Sequence, residues 1–433
     1  MSPIQAIILA HRAGQSTGLY SVCCTNEYVL RAAMRVAREH GTPLLIEATS
    51  NQVDQFGGYT GMQPAAFRAY VERLADSQAF PRAQLLLGGD HLGPNAWQAL
   101  PAADAMRHAC DLIDAYVAAG FHKIHLDCSM ACADDVAPLS DHTVATRSAV
   151  LAGVAEAAAR RAGQRPPVYV VGTEVPVPGG EASLDAGLQV TTAQAAAHTL
   201  AVHRRAFDAA GLASCWERVI ALVVQPGVDF DHSCVHHYDR QAATGLSAMV
   251  AAQPGLVYEA HSTDYQTEAS LHRMVHDHFA ILKVGPAATF ALRQAWFALA
   301  AIENEIIPVE RRSHLVAVLD RCMRAQPAHW QKHYAGSADQ QRLLRQYSFS
   351  DRCRYYWGEP EVEAAVQRLL DNLGAADVPL PLLAQYLPEQ YPLVVQGQLA
   401  ARAADLAEHK VGLQLAQYAR ACAQNCHGVG APA

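Results

Sequence analysis

The chain has 433 residues, 51% of them hydrophobic, which is enough for a large buried core and excludes global disorder. Its formal net charge of −8, with no Lys- or Arg-rich run, argues against a nucleic-acid partner and against an anionic membrane surface. No apolar run reaches the roughly 18 residues of a membrane span, and residues 1–10 lack the basic leader of a signal peptide. Eleven cysteines without such a leader read as reduced thiols, so a cytoplasmic location is expected.

In chain order, short β-rich runs alternate with longer alanine-rich segments. The runs cover 19–23, 43–48, 84–87, 123–127, 168–172, 218–224, 255–260 and 279–284. Helical patterns lie between them at 26–40, 64–75, 102–119, 142–162, 192–210 and 267–276. Eight strand–helix alternations predict a (β/α)₈ TIM barrel over residues 1–300. The rival, an open doubly wound sheet, usually opens with a glycine-rich fingerprint after its first strand; here Cys23-Cys24-Thr25-Asn26 follows. Past residue 300 the alternation stops. Residues 301–433 read as a helical C-terminal extension packed on the barrel, with an irregular Pro- and Leu-rich connection at 379–391 and a terminal helix at 400–422, and it is read as a candidate oligomer interface.

Polar residues gather at the carboxyl ends of the runs, the face that carries active sites in a barrel. The second run ends in Glu47, with Asn51 and Gln52 beyond it; the third in Gly88-Gly89-Asp90-His91; the fourth in Asp127-Cys128-Ser129. The fifth ends in Thr173-Glu174, the sixth is followed by Gln225 and His232, and the seventh runs into His261-Ser262-Thr263-Asp264. Imidazole with carboxylate suits a divalent cation such as zinc or manganese. The candidate ligands are His91, Glu174, His232 and His261, with His236 and His237 close enough to replace His232. Asp90 is placed as an acid/base, or as a carboxylate orienting a ligand. Asp127 is read as orienting a sugar hydroxyl or a ligand histidine, or as capping the Ser129 turn. Lys283 invites a Schiff-base role, but pairing with Glu47 or Glu259 is preferred. Gly57-Gly58-Tyr59-Thr60-Gly61 reads as a mobile loop or a wide turn.

Several long stretches resemble one family. They are residues 20–23, 43–53, 55–62, 88–95, 123–130, 172–176 and 258–266. The chain resembles the tagatose-bisphosphate aldolase accessory-subunit family, long also labelled tagatose-6-phosphate kinase, which is related to class II metal-dependent aldolases and ketose C4-epimerases. The resemblance implies Asp90 as catalytic acid/base, His91 and His261 as metal ligands, and Glu174 and Asp127 as further catalytic residues. It leaves the sixth-strand ligand open between Gln225 and His232. Glu47, Asn51, Gln52, Ser129, Gln225, Ser262, Asp264 and Lys283 are the expected substrate contacts. The implied reaction is retro-aldol and aldol chemistry on tagatose, fructose or their phosphates, by C4 epimerisation or by cleavage of tagatose 1,6-bisphosphate. The alternative is a non-catalytic subunit stabilising a separate catalytic aldolase, and a homo-oligomer is expected. The glycine-rich phosphate loops of class II aldolases are missing: Ser262-Thr263-Asp264-Tyr265 and Gly285-Pro286-Ala287-Ala288 stand in their places. No phosphate-cradling P-loop or kinase signature is present.

Overall fold

Residues 2–172, 188–374 and 378–423 are described in the computed structural model of the chain. The strands in chain order are β1 (Leu19–Val22), β2 (Leu44–Thr49), β3 (Leu85–Leu92), β4 (Lys123–Leu126), β5 (Val168–Val171), β6 (Val219–Val223), β7 (Asp229–Phe230), β8 (Val235–His236), β9 (Val257–Ala260) and β10 (Ile281–Val284). Eight of them close a parallel barrel in the order β1-β10-β9-β6-β5-β4-β3-β2, while β7 and β8 form a small antiparallel hairpin between β6 and β9. The expected TIM barrel is therefore present. The helices wrapping it begin on side-chain caps: Asn26, Ser140, Thr192 and Thr267 each accept from a backbone amide of the first turn.

The barrel interior divides along its axis. At the amino-terminal end of the strands the filling is aliphatic, with Leu19, Leu45, Leu86, Val168, Val257 and Ile281 in one cluster. The helix Pro3–Arg12 closes that end by inserting Ile4 and Ile8 into the same cluster, and a capping box between Ser2 and Gln5 fixes its start. Above this layer the inward positions turn polar, and the candidate site begins there.

The helix after β10, Pro286–Ile306, continues through residue 300. The region expected to be an irregular connection holds two short helices, Leu380–Tyr386 and Tyr391–Val395, each with a proline in its first turn, where a missing N–H costs nothing. The terminal helix Ala403–Cys422 packs on Glu27–His40, on Pro286–Ile306 and on Glu268–His276. It also accepts from the barrel, since Gly18 N and Thr17 Oγ1 both donate to Cys422 O. All ten described cysteines are unpaired. Among the described residues, no helix is long and apolar enough to cross a membrane.

Candidate active site

The Asp90-His91 pair lies inside β3 rather than after it, because the strand continues to Leu92. In a regular strand neighbouring side chains face opposite ways. Here His91 has φ +47°, and the β3–β4 register shifts between Gly89 and Leu92. That irregularity turns two consecutive side chains toward one point, as bulges near active sites do. Gly88 is required by close approach: a Cβ there would stand 2.5 Å from Glu47 Oε1.

Asp90, His91, His125 and His261 each bring one ligand atom into a group whose members lie within 4.8 Å of one another. The ring centroids of His91 are 4.8 Å from those of both His125 and His261. Each imidazole has one nitrogen tied to an acceptor. His91 Nδ1 donates to Asp127 Oδ2 at 2.8 Å, His125 Nε2 to the Gly172 carbonyl at 2.9 Å, and His261 Nε2 to Glu259 Oε1 at 3.0 Å. A carboxylate or carbonyl only accepts, so these contacts place one proton on the tied nitrogen and turn the opposite nitrogen toward the cluster. His125 Nδ1 accepts from the His91 amide at 3.2 Å and stands 3.1 Å from Asp90 Oδ1.

Asp127 is the hub of this arrangement. Its Oδ2 accepts from His91 and from Asn95 Nδ2 at 3.1 Å, and its Oδ1 accepts from Ser129 N at 3.1 Å and Ser129 Oγ at 2.6 Å. Burial opposes ionisation of Asp127, but the hydrogen bond and charge of His91 hold its carboxyl well below the usual range. Burial likewise works against charge on His91, yet Asp90 and Asp127 raise it to about 9. His261 goes the other way: burial, aided by His91, lowers it to about 3 despite Glu259.

A layer of ion pairs lies alongside. Lys123 Nζ meets Glu47 Oε1 at 2.7 Å and Glu259 Oε2 at 2.6 Å; Lys283 Nζ meets Glu47 Oε2 at 2.5 Å and Asp90 Oδ1 at 2.8 Å. Ser21 Oγ donates to Glu47 Oε2 at 2.5 Å, and the Cys23 thiol faces Asp90 Oδ2 at 3.7 Å. Despite burial, Lys283 and the histidines keep the Asp90 carboxyl well below its ordinary range. Lys283 thus takes the expected carboxylate partner Glu47, and its charge is held firmly by Asp90 and Glu47 against the cost of burial.

The remaining expected residues divide clearly. His232 is not brought to the cluster: its Nδ1 contacts Ser348 Oγ and its Nε2 the His333 carbonyl, each at 3.0 Å, so the C-terminal region uses both nitrogens. Gln225 braces its own turn, accepting from Gly227 N at 2.8 Å and Val228 N at 3.0 Å. Gln52 is buried and accepts from Thr49 N, while Asn51 is exposed. Ser262 has φ +51° and a buried hydroxyl without a partner. Asp264 Oδ1 accepts from Gly285 N at 3.0 Å and Ala287 N at 2.8 Å. Glu174, with Gly179, Gly180 and Glu181, lies outside the described residues. The Gly57–Gly61 segment is a 3₁₀ turn pinned by Asp54, whose Oδ1 accepts from Phe56 N and Gly58 N.

His125, Lys123 and Ser21 also belong to this cluster, although the sequence did not single them out. The signal was the period of two in Lys123-Ile124-His125-Leu126-Asp127, which places 123, 125 and 127 on the barrel's inner side.

The family described as D-tagatose-1,6-bisphosphate aldolase subunit GatZ/KbaZ-like matches residues 4–423. The chain belongs to this GatZ/KbaZ-like family. A solved structure titled a probable tagatose 6 phosphate kinase, from Sinorhizobium meliloti 1021, is 46% identical with a TM-score of 0.87, over 94% of this chain and all of that one. More remote similarity links it to the YdjI aldolase from Escherichia coli K12, at 11% identity and TM-score 0.44, covering 86% of this chain and 96% of that one. The fructose-bisphosphate aldolase Fba from Campylobacter jejuni stands at 12% and 0.43, covering 86% and 94%.

Proposed function

We propose that this GatZ/KbaZ-like chain is itself a metal-dependent enzyme acting on ketoses by retro-aldol and aldol chemistry, through C4 epimerisation or cleavage of tagatose 1,6-bisphosphate. The observation that carries the reading is the three-histidine set, each ring locked through one nitrogen and turned with the other toward the Asp90 carboxylate. Ligand histidines anchored in this way are the usual build of a metal site. His91, His125 and His261 would hold a divalent ion such as zinc or manganese, which when bound supplies Lewis-acid polarisation of the ketose carbonyl and its neighbouring hydroxyl.

The chain's own groups do the rest. Asp90, ionised and buried, accepts the proton of the C4 hydroxyl. The C3–C4 bond then breaks, its electron pair passing to C3 and the C2 carbonyl as an enediolate while C4 becomes an aldehyde. Closure on the opposite aldehyde face, with the proton returned from Asp90, gives the C4 epimer; release of the two fragments gives net cleavage. Lys283, at 2.8 Å from Asp90, orients the carboxylate and compensates its charge. Glu174 and the polar rim residues Asn51, Gln52, Ser129 and Ser262 are proposed as further substrate contacts.

The word subunit in the family description favours one other reading, a non-catalytic partner of a separate aldolase. Purified protein with manganese or zinc, assayed on tagatose, fructose and their phosphates, separates the two. The enzyme reading expects turnover that chelator removes and Asp90→Asn abolishes while metal stays bound. Turnover appearing only with an added class II aldolase, and indifferent to Asp90→Asn, supports the partner.

A further inference from the structure

We infer that the C-terminal extension carries the receptor for an anionic end group of the sugar, with Arg354 as its contact residue. A cavity of about 780 Å³ opens where the loops after β1 and β2 meet the extension, and Thr25, Asn26, Tyr59, Arg354, Tyr355 and Trp357 line it. Thr25 and Asn26 follow Cys23 directly along the rim, and the Cys23 thiol is 3.7 Å from Asp90. The wall bearing Arg354 is pinned to the barrel: Asp351 accepts from Thr289 Oγ1 at 2.8 Å and pairs with Arg293 Nε at 3.0 Å, both on the helix that follows β10.

Arg354 makes no ion pair with any described carboxylate. Its Nη1 donates to the Asp351 carbonyl at 2.7 Å and its Nη2 to the Tyr355 hydroxyl at 3.1 Å, under a cation–π contact of 4.7 Å with the same ring. Two of the five guanidinium N–H groups are used, and a planar fork remains. Arg352, only 8% exposed, stands behind with a buried Nε that has no partner, while its Nη1 donates to the His329 carbonyl at 3.1 Å. Asp351, whose charge acts on Arg354, is already paired with Arg293, so the two neighbouring guanidinium groups leave the cavity wall positive. The carboxylates that share the cavity are engaged elsewhere or lie in water: Glu27 pairs with Arg31, Glu359 accepts from Gln326, and Glu363 is exposed.

Another place for an anion among the described rim residues is closed. The N-terminus of the helix Pro286–Ile306 offers the Gly285 and Ala287 amides, and Asp264 fills both. Among the described residues that line this cavity, Arg354 is the cationic contact that is left. The fitting ligand class is a ketose ending in a phosphate ester or a carboxylate.

That the ligand is a sugar rests on the proposed aldol function; the presence of an anion receptor does not. The test is calorimetric titration of the full chain with inorganic phosphate in chelator, which keeps the outcome independent of any metal. Wild type is expected to bind, Arg354→Gln to bind at least tenfold more weakly with an unchanged circular dichroism spectrum, and Arg354→Lys to fall between. A ketose phosphate, a ketouronate and a neutral ketose are then used to displace the phosphate. Displacement by one of the two charged sugars names the end group. Absence of phosphate binding to wild type, equal binding by Arg354→Gln, or displacement by the neutral ketose as strong as by the charged sugars overturns the inference. If Arg354→Gln fails to fold, Arg354→Lys decides, because loss of the fork alone has to weaken binding.

Discussion

Asp127→Asn tests whether the hydrogen-bond frame around the histidines sets their chemistry. All four partners of Asp127 donate: His91 Nδ1 and Asn95 Nδ2 to one oxygen, Ser129 N and Oγ to the other. An Asn side chain must aim its NH₂ at one of these pairs. Ser129 N cannot become an acceptor, so the amide turns to the other side, where both partners can adapt. Asn95 flips to offer its Oδ1, which is buried and unpartnered in the native protein, and His91 changes tautomer. The proton then sits on Nε2, the nitrogen proposed to hold the metal. Loss of such an orienting partner costs a site about 10- to 100-fold in metal affinity, or about 1.4–2.7 kcal/mol. A chelator-competition titration with zinc or manganese, on protein shown to be folded by circular dichroism, reads it directly. Affinity equal to wild type in Asp127→Asn would refute both the tautomer argument and the histidine site.

Other perturbations follow from the same geometry. His125→Gln is expected to abolish stoichiometric metal binding, whereas His232→Ala keeps it and loses only the bonds to Ser348 and His333, about 1–2 kcal/mol of stability; metal analysis of the two purified variants gives the answer, and the reverse pattern would restore His232 as a ligand. Lys123→Met strips Glu47 and Glu259 of a shared, fully buried cation, so a destabilisation of about 3–5 kcal/mol is expected; a melting temperature matching wild type would contradict it. Asp264 is raised by burial from 3.8 to about 6, even though the Ala287 and Gly285 amides pull it down. Its native state thus holds a proton more tightly than the unfolded chain, and the stability this gives below pH 4 is lost as pH rises through 6. Asp264→Asn removes that slope, so the variant should gain about 2 kcal/mol on wild type between pH 4 and 7. Melting curves at both pH values check the sign, and a gain by wild type instead would mean that the amides outweigh burial.

The barrel was legible because its evidence is repetitive: eight apolar runs, six of them followed by a helix pattern, leave few architectures open. Much of the centre was legible for a local reason, since Asp90, His91, Asp127 and His261 stand at strand ends where a barrel collects its chemistry. The positive φ at His91 was not, although it is what lets adjacent residues serve one point. His125 escaped because it sits one step inside its strand, where an imidazole reads as filling. His232 misled in the opposite way. It follows β6 as a ligand might, but its partners Ser348 and His333 come from more than 100 residues away, and no local pattern announces them.

The buried ion-pair layer has a consequence in charge parity. Among the described residues, Glu47, Asp90, Asp127 and Glu259 bring four negative charges to the barrel mouth, and Lys123 and Lys283 bring two positive ones. With the three histidines neutral, two negative charges are left over in a space shielded from water. A proton on His91 cancels one of them. A divalent ion cancels both, while a monovalent ion falls one short and a trivalent ion overshoots. In the proposed metal site, the pairing of lysines with glutamates would therefore favour an ion of charge two before any ligand geometry is consulted.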